Sequence, residues 1–355
     1  MPITASHSSD RDGSNRIASK RMNSVAFDVI HADTLRFFPE LVTELGGDPK
    51  ALFDESGLGP SGLPEGTSSY GYRLIVDLLE HAAGALECPD FGLRLAAIQG
   101  GGSVFGPMGV VMRNSKTLGD GLEYLSSHPH AHSLAARVRI EPTGDGSVFV
   151  GHDILLDRMQ YRPQAMEQFL LLAHLNAMEL TGGRARVRRV HFRHQPLSPR
   201  AVYRRHFGCE VRFDQRADGV EFTDRDMSAR IVDADPAAYD AITSQLDAEF
   251  SSTDPPMEAQ VRGVVLQYIG TEHCTNERIA AELHLHPRTL HRRLKAEGTS
   301  FHDIKDAVRR ELALYYLQQT DFDLTQIAER IGYSEHSVLT RSCQRWFAAT
   351  PRTMR

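Results

Sequence analysis

Two short runs near the end of the chain carry residue types that suit hydrogen bonding to nucleic acid. In a helix through Pro287–Lys295, Leu290 and Leu294 lie four apart on one side, and Arg288, Thr289, His291, Arg292 and Lys295 face away from them. About fifty residues later Val338, Leu339 and Trp346 supply an inner face and leave Thr340, Arg341 and Arg345 outside. Arginine can hold guanine O6 and N7 through two parallel hydrogen bonds, while Ser, Thr and Lys hold phosphate oxygens. These runs therefore read as two helices laid into the major groove.

Each run needs a partner helix to hold it, and the sequence supplies one in both places. Thr275 can cap a helix through Ile279, Ala280 and Leu283; after the turn His284-Leu285-His286, His286 takes the next N-cap and Pro287 the first helical position. In the second copy Asp323 and Gln326 form a capping box, and Ile327, Ala328 and Ile331 share one face. Gly332 falls where the chain leaves that helix with positive φ, and Ser334 is the expected cap of the next one. A helix, a tight turn and a second helix that begins polar and turns basic make a helix-turn-helix, written twice. Between the copies Phe301, Ile304, Val308, Leu312, Tyr315 and Tyr316 recur at helical spacing through Phe301–Gln319. One connecting helix there would set the two recognition helices into successive major grooves, about 34 Å apart.

The C-terminal hundred residues resemble the AraC/XylS family of bacterial transcription regulators. The matching residues are Arg288 through Gly298, Ile327-Ala328 with Ile331 through Ser334, and Ser337, Leu339, Arg341, Arg345-Trp346-Phe347 and Pro351. The resemblance places base contacts at Arg288, His291 and Arg292 in the first recognition helix, and at His336, Ser337, Thr340 and Arg341 in the second. The sequence departs from the family pattern at four positions. His284 and Ala348 stand where Gly is usual or frequent, and Leu339 and Cys343 where Phe is frequent.

The remaining composition fits this reading. At 355 residues the chain is long enough for two domains. Net charge is −6, but residues 255–355 hold 14 Lys and Arg against 12 Asp and Glu, and the rest holds 26 against 34. A local basic face matters more for DNA than the total. Cys88, Cys209, Cys274 and Cys343 are scattered, with no Cys-x-x-Cys pair, so neither a zinc knuckle nor a disulfide framework is indicated. No run approaches the length of apolar residues needed to span a bilayer. Residues 1–22 are polar and read as a disordered tail without a secretory signal. A cytoplasmic location is expected.

Residues 23–246 read as an α+β domain with several helices and a small antiparallel sheet, residues 247–256 as a linker around Pro255-Pro256, and 257–355 as the DNA-binding domain. Helices are expected over Asn23–Gly46, Tyr72–Leu86, Phe91–Ile98, Met108–Asn114, Leu118–Ser127 (capped by Thr117), Pro163–Thr181 and Pro199–Phe207. A short helix restarts at Asp48-Pro49, and a loop spans Gly57–Gly66. Met257–Ile269 is the helix that opens the second domain. Ser133–Ile140 and Ser147–Leu155 alternate around Thr143-Gly144-Asp145-Gly146, a hairpin signal. Strands are also expected at Val187–His194, Glu210–Phe213 and Gly219–Phe222, the last two flanking a turn. His206 through Phe213, with Val220-Glu221-Phe222, resembles the N-terminal domain of an AraC subgroup labelled arabinose-binding, which names no ligand here.

Other chemistry is poorly supported. Gln99 through Pro107 is glycine-rich but lacks the Gly-Lys-Ser/Thr ending of a phosphate loop. His128, His130 and His132 share a face if extended, yet no nearby Cys or acid completes a metal set. No Gly-x-Ser-x-Gly is present, and Cys88 and Cys209 read as core. The apolar face of Met166–Ala177, with Phe105, Tyr124, Tyr161, Phe169, Met108 and Met112, reads first as core and second as pocket lining. The resemblance implies a ligand-responsive, sequence-specific transcription regulator, expected to activate and not an enzyme. Its expected partners are promoter DNA, a small-molecule effector, RNA polymerase and a second copy of itself, with no cofactor, metal or membrane. The alternatives are a metal- or redox-sensing regulator and a constitutive one without effector.

Overall fold

The computed structural model describes residues 29–58, 69–101, 104–128, 133, 135–156, 162–250, 256–320 and 322–355. The tail 1–22, most of the 57–66 loop, Gly102, Ser103, His130, His132, Tyr161 and Ser251–Pro255 lie outside them.

The chain begins with β1 (Val29–His31), a 3-10 turn (Ala32–Leu35), α1 (Phe38–Glu44) and α2 (Pro49–Glu55). The single helix expected over Asn23–Gly46 is thus broken: β1 pairs antiparallel with β2 (Ser69–Gly71), and Phe37 enters α1 in the left-handed region at φ 63°. Pairing with a strand forty residues away outweighs local helical periodicity there. Next come α3 (Tyr72–Ala85), α4 (Phe91–Gln99), α5 (Pro107–Asn114) and α6 (Leu118–Ser127). Thr117 and Asp120 close a capping box at the start of α6, so the expected cap is present.

The hairpin β3 (Ala136–Pro142) and β4 (Ser147–Ile154) follows, with Ile140 opposite Val150. Gly144 and Gly146 both take φ 81° in its turn, and the Asp145 carboxylate accepts from Ser147 N and Thr143 Oγ1. Then come α7 (Pro163–Leu180), β5 (Arg189–His191), α8 (Arg200–Phe207), β6 (Glu210–Arg212), β7 (Gly219–Thr223), α9 (Asp224–Met227) and α10 (Pro236–Phe250).

Five strands join in the order β3-β4-β7-β5-β6. The sheet is therefore mixed, not the small antiparallel sheet the sequence suggested, because β5 and β6 run parallel. Helix α8 is the crossover that parallel pairing needs. It brings β6 to the edge, and β5 takes the place beside β7 where a hairpin partner was expected. Val138, Val150, Ile154, Val190, Val220 and Phe222 bury their side chains. Among the helices α4 and α7 meet closely. Gly92 allows it: a Cβ there would run into the Gln164 backbone, while Gly92 N donates to Gln164 Oε1 at 2.8 Å.

The C-terminal part is helical: α11 (Met257–Tyr268), α12 (Asn276–Glu282), α13 (Pro287–Ala296), α14 (Phe301–Gln319), α15 (Leu324–Arg330) and α16 (His336–Phe347). Helix α10 reaches Phe250, so the first four residues of the expected linker are helical. Three apolar clusters hold the chain together, drawn from residues 30–246, 257–308 and 313–343. Helix α14 serves the last two, with Ile304 and Val308 in one, Ala313, Tyr316 and Leu317 in the other, and Leu312 packed against both.

Candidate DNA interface

The first helix-turn-helix is α12 and α13. Thr275 Oγ1 accepts from Arg278 N and His286 Nδ1 from Arg288 N, each at 3.2 Å, so both expected caps form. Pro287 opens α13. The chain leaves α12 through His284 at φ 52°, a left-handed conformation that costs an L-residue free energy and suits glycine. Ile279, Ala280, Leu290 and Leu294 are buried together. This packing turns Arg288, His291, Arg292, Arg293 and Lys295 outward, all exposed, with Thr289 half-buried.

The second unit is α15 and α16. Asp323 and Gln326 exchange the two bonds of a capping box, Gly332 takes φ 73°, and Ile327, Ala328, Ile331, Leu339 and Cys343 are buried. The start of α16 differs from expectation. Glu335, not Ser334, is the N-cap residue, and no side chain caps the helix. The Glu335 carboxylate instead accepts from Ser337 Oγ at 2.9 Å. His336, Ser337, Arg341 and Arg345 are exposed and Thr340 is half-buried, with its hydroxyl turned back to the His336 carbonyl.

Packing between the units is polar as well as apolar, and this the sequence did not reveal. Helix α14 sends Lys305 Nζ to the Cys274 carbonyl at 2.6 Å, on the first unit. Arg309 donates to the Ile331 and Gly332 carbonyls at 2.9 and 2.6 Å and stacks over the Tyr333 ring at 4.2 Å, on the second. Asp306 accepts from Arg345 Nη2 at 2.5 Å and Trp346 Nε1 at 2.9 Å. The apolar periodicity of α14 was legible; the contacts of Lys305, Asp306 and Arg309 were not.

The ten residues expected to meet DNA thus divide by what already holds them. Arg288, His291, Arg292, Lys295 and Arg341 make no side-chain hydrogen bond or ion pair with any described residue and are exposed. Arg345 is engaged by Asp306, and Ser337 by Glu335. Arg293, part of the basic run but not of the expected contact set, adds a further exposed cation on α13. These groups donate hydrogen bonds, most of them as permanent cations, which suits the acceptors on base edges and phosphates.

Among the described residues no group of three or more His, Cys, Asp or Glu is placed to hold a metal. Burial pushes the Cys88 and Cys343 thiols up to about 11 and raises that of Cys274; half-buried Cys209 is also pushed up to about 11. Redox-sensing cysteines need the opposite shift. No described helix is long and apolar enough to cross a membrane.

Sequence comparison places the chain among known regulators. Residues 46–231 match the family model of the arabinose-binding domain of AraC transcription regulator, N-terminal, and residues 279–355 match a helix-turn-helix domain. The chain is 37% identical to the HTH-type transcriptional regulator VirS of Mycobacterium tuberculosis over 92% of its own length and 96% of that protein. It is 26% identical to the ornithine utilization regulator of Pseudomonas aeruginosa, over 88% and 92%. The solved structure of the transcriptional regulator CdpR from Pseudomonas aeruginosa superposes with a TM-score of 0.40 at 19% identity, over 85% of this chain and 95% of that one.

Proposed function

The chain belongs to the AraC family of transcription regulators, and from that premise we propose that it is a ligand-responsive, sequence-specific activator of a bacterial promoter. One observation carries the sequence-specific part: two exposed, cation-bearing helices are both held on the same helix, α14, with α13 packing Leu290 and Leu294 against its Ile304 and Val308 and α16 pairing Arg345 with its Asp306. A single body of that kind presents both helices to one face of a duplex, with a groove for each. Arg288, His291 and Arg292 read bases from α13, with Thr289 and Lys295 on phosphates. His336, Ser337, Thr340 and Arg341 act from α16, and Arg345 contacts backbone only when it is released from Asp306.

In this proposal residues 23–246 form the effector and dimerisation domain and residues 257–355 the DNA-binding domain, and the protein works in the cytoplasm with RNA polymerase as a homodimer. An effector acts only by favouring one arrangement of these parts over another. Protection of the upstream DNA from cleavage tests the reading. It expects two protected major grooves about one helical turn apart on one face of the duplex. A single protected groove would overturn the role of one unit.

A further inference from the structure

Strands β5 and β6 run parallel, so the chain leaves both at the same end of the sheet. Phe192 N donates to the Arg212 carbonyl at 2.8 Å and Gln215 N to the Phe192 carbonyl at 2.9 Å, which holds the two exits side by side. Asp214 turns the chain at φ 61°, in the left-handed region that Asp tolerates better than most residues. Arg193 and Arg216 therefore come to one edge of the sheet. The second helix-turn-helix unit meets the sheet there, with Arg330 Nη2 of α15 donating to Asp214 Oδ2 at 2.5 Å. Beside this ion pair lies a cleft of about 360 Å³. Arg193, Gln215 and Arg216 line it from the sheet side, and Thr271, Glu329 and Arg330 from the C-terminal helices.

The charges of this cleft do not balance. Facing surfaces normally set opposite charges against each other, yet here guanidiniums come from both sides. Arg330 has Asp214. Arg193 and Arg216 make no side-chain hydrogen bond or ion pair with any described residue, and Glu329, the one carboxylate in the lining, pairs with neither. Asp218 takes the main-chain N–H of Arg193 at 2.8 Å and not its guanidinium. Water can satisfy Arg216, which is exposed, but Arg193 is half-buried, where a cation without a partner is disfavoured. A guanidinium presents its N–H donors as a planar fork that fits the two oxygens of a carboxylate.

We infer that this cleft is the effector site, and that it takes a small organic dicarboxylate held by Arg193 and Arg216. The inference rests on the ligand-responsive reading above and gives it a ligand class. The volume falls within the usual range of small-molecule sites. Two unpaired forks, with apolar surface from Ile269 and Tyr316, suit two carboxylates on a short carbon chain better than one inorganic phosphate. The position supplies the coupling. A ligand on Arg193 and Arg216 also borders Thr271 and Arg330, so its affinity depends on how the C-terminal helices sit against the sheet. That differential contact is what an effector needs to favour one arrangement over another.

The test uses the full-length protein at constant ionic strength, succinate as the probe, and two comparators: succinamide, which has the same skeleton without charge, and inorganic phosphate. Thermal unfolding is followed as each is titrated. Succinate raises the melting temperature saturably, as a ligand of the native state must. Succinamide has no effect, and phosphate binds about tenfold more weakly. Arg193→Gln and Arg216→Gln each weaken succinate binding about tenfold or more, the worth of hydrogen bonds to a charged group. Arg204→Gln, which removes an exposed arginine of α8 outside the cleft lining, leaves it unchanged. No saturable response to succinate, an equal response to succinamide, or equal losses in Arg204→Gln and Arg193→Gln overturns the site. Phosphate binding as tightly as succinate overturns the dicarboxylate class. Affinity for upstream DNA separates the two claims. Succinate binding with this signature but without any change in DNA affinity sinks the effector role and leaves the site. A compound that shifts DNA affinity equally in the parent and in the double variant Arg193→Gln, Arg216→Gln sinks the cleft as effector site and leaves the ligand-responsive reading.

Discussion

Arg309 Nη2 donates to the Gly332 carbonyl at 2.6 Å, from the middle of α14 to the turn of the second helix-turn-helix. Its Nε holds the neighbouring Ile331 carbonyl at 2.9 Å, so one guanidinium satisfies two acceptors left open where α15 ends. Arg309→Ala strands both carbonyls and removes the stacking on Tyr333. It should cost about 1–3 kcal/mol, read as a lower midpoint in urea unfolding. Arg309→Lys, a point charge without the fork, should recover only part of that loss. Full recovery would mean that charge alone matters.

The two turns make opposite predictions from one backbone conformation. His284 sits at φ 52° and Gly332 at φ 73°. His284→Gly relieves left-handed strain and should stabilise by about 0.5–1 kcal/mol. Gly332→Ala imposes the same strain and drives its Cβ against the Ile269 carbonyl, so it should cost at least about 2 kcal/mol. Chemical denaturation of both variants measures this directly. A neutral Gly332→Ala would show that the turn is not packed as described.

Asp306 should matter to stability more than Arg345 matters to DNA. Asp306→Ala unpairs Arg345 and strands the Trp346 N–H, so it should lower unfolding stability by about 1–2 kcal/mol. The same variant frees Arg345 and should tighten non-specific DNA binding at low salt. Unchanged affinity would place Arg345 away from the backbone of the duplex.

The buried imidazole of His174 predicts a pH dependence. Burial, helped by the Arg186 charge, holds its pKa at about 4 against an ordinary 6.5. The unfolded chain therefore takes up this proton first as pH falls, and native stability is lost between about 6.5 and 4. Half-buried Glu80, raised to about 8 by desolvation, and buried Asp218, raised to about 6, act in the opposite sense, since their stabilising protonation is present at low pH and lost as pH rises. The prediction is therefore a difference. His174→Gln should lose about 2–3 kcal/mol less than the parent on going from pH 7 to pH 4. Parallel stability curves for the two proteins would contradict it.

The C-terminal region was legible because its signals are local. Thr275, His286, Asp323 with Gln326, and Gly332 each act within a few residues, and each does in the structure what its type implied. Ser334 does not cap because α16 starts one residue later, after Glu335. The N-terminal sheet was less legible because its pairings are long-range. Nothing near Arg189 says that β5 lies between β7 and β6, or near Val29 that it pairs with Gly71. Ion pairs such as Asp306 with Arg345 are equally silent in one sequence, since both residues also suit a solvated helix face.

The most direct test of the whole account is binding of the purified protein to its own upstream DNA at two salt concentrations, beside scrambled DNA, with Arg292→Ala and Arg341→Ala in parallel. The account predicts a salt-sensitive complex that prefers the upstream sequence, with each variant losing about 1–3 kcal/mol there and discriminating less between bases. Equal loss on both DNAs would show that Arg292 and Arg341 hold only phosphates, and equal binding of the parent protein to both would contradict sequence-specific recognition by α13 and α16.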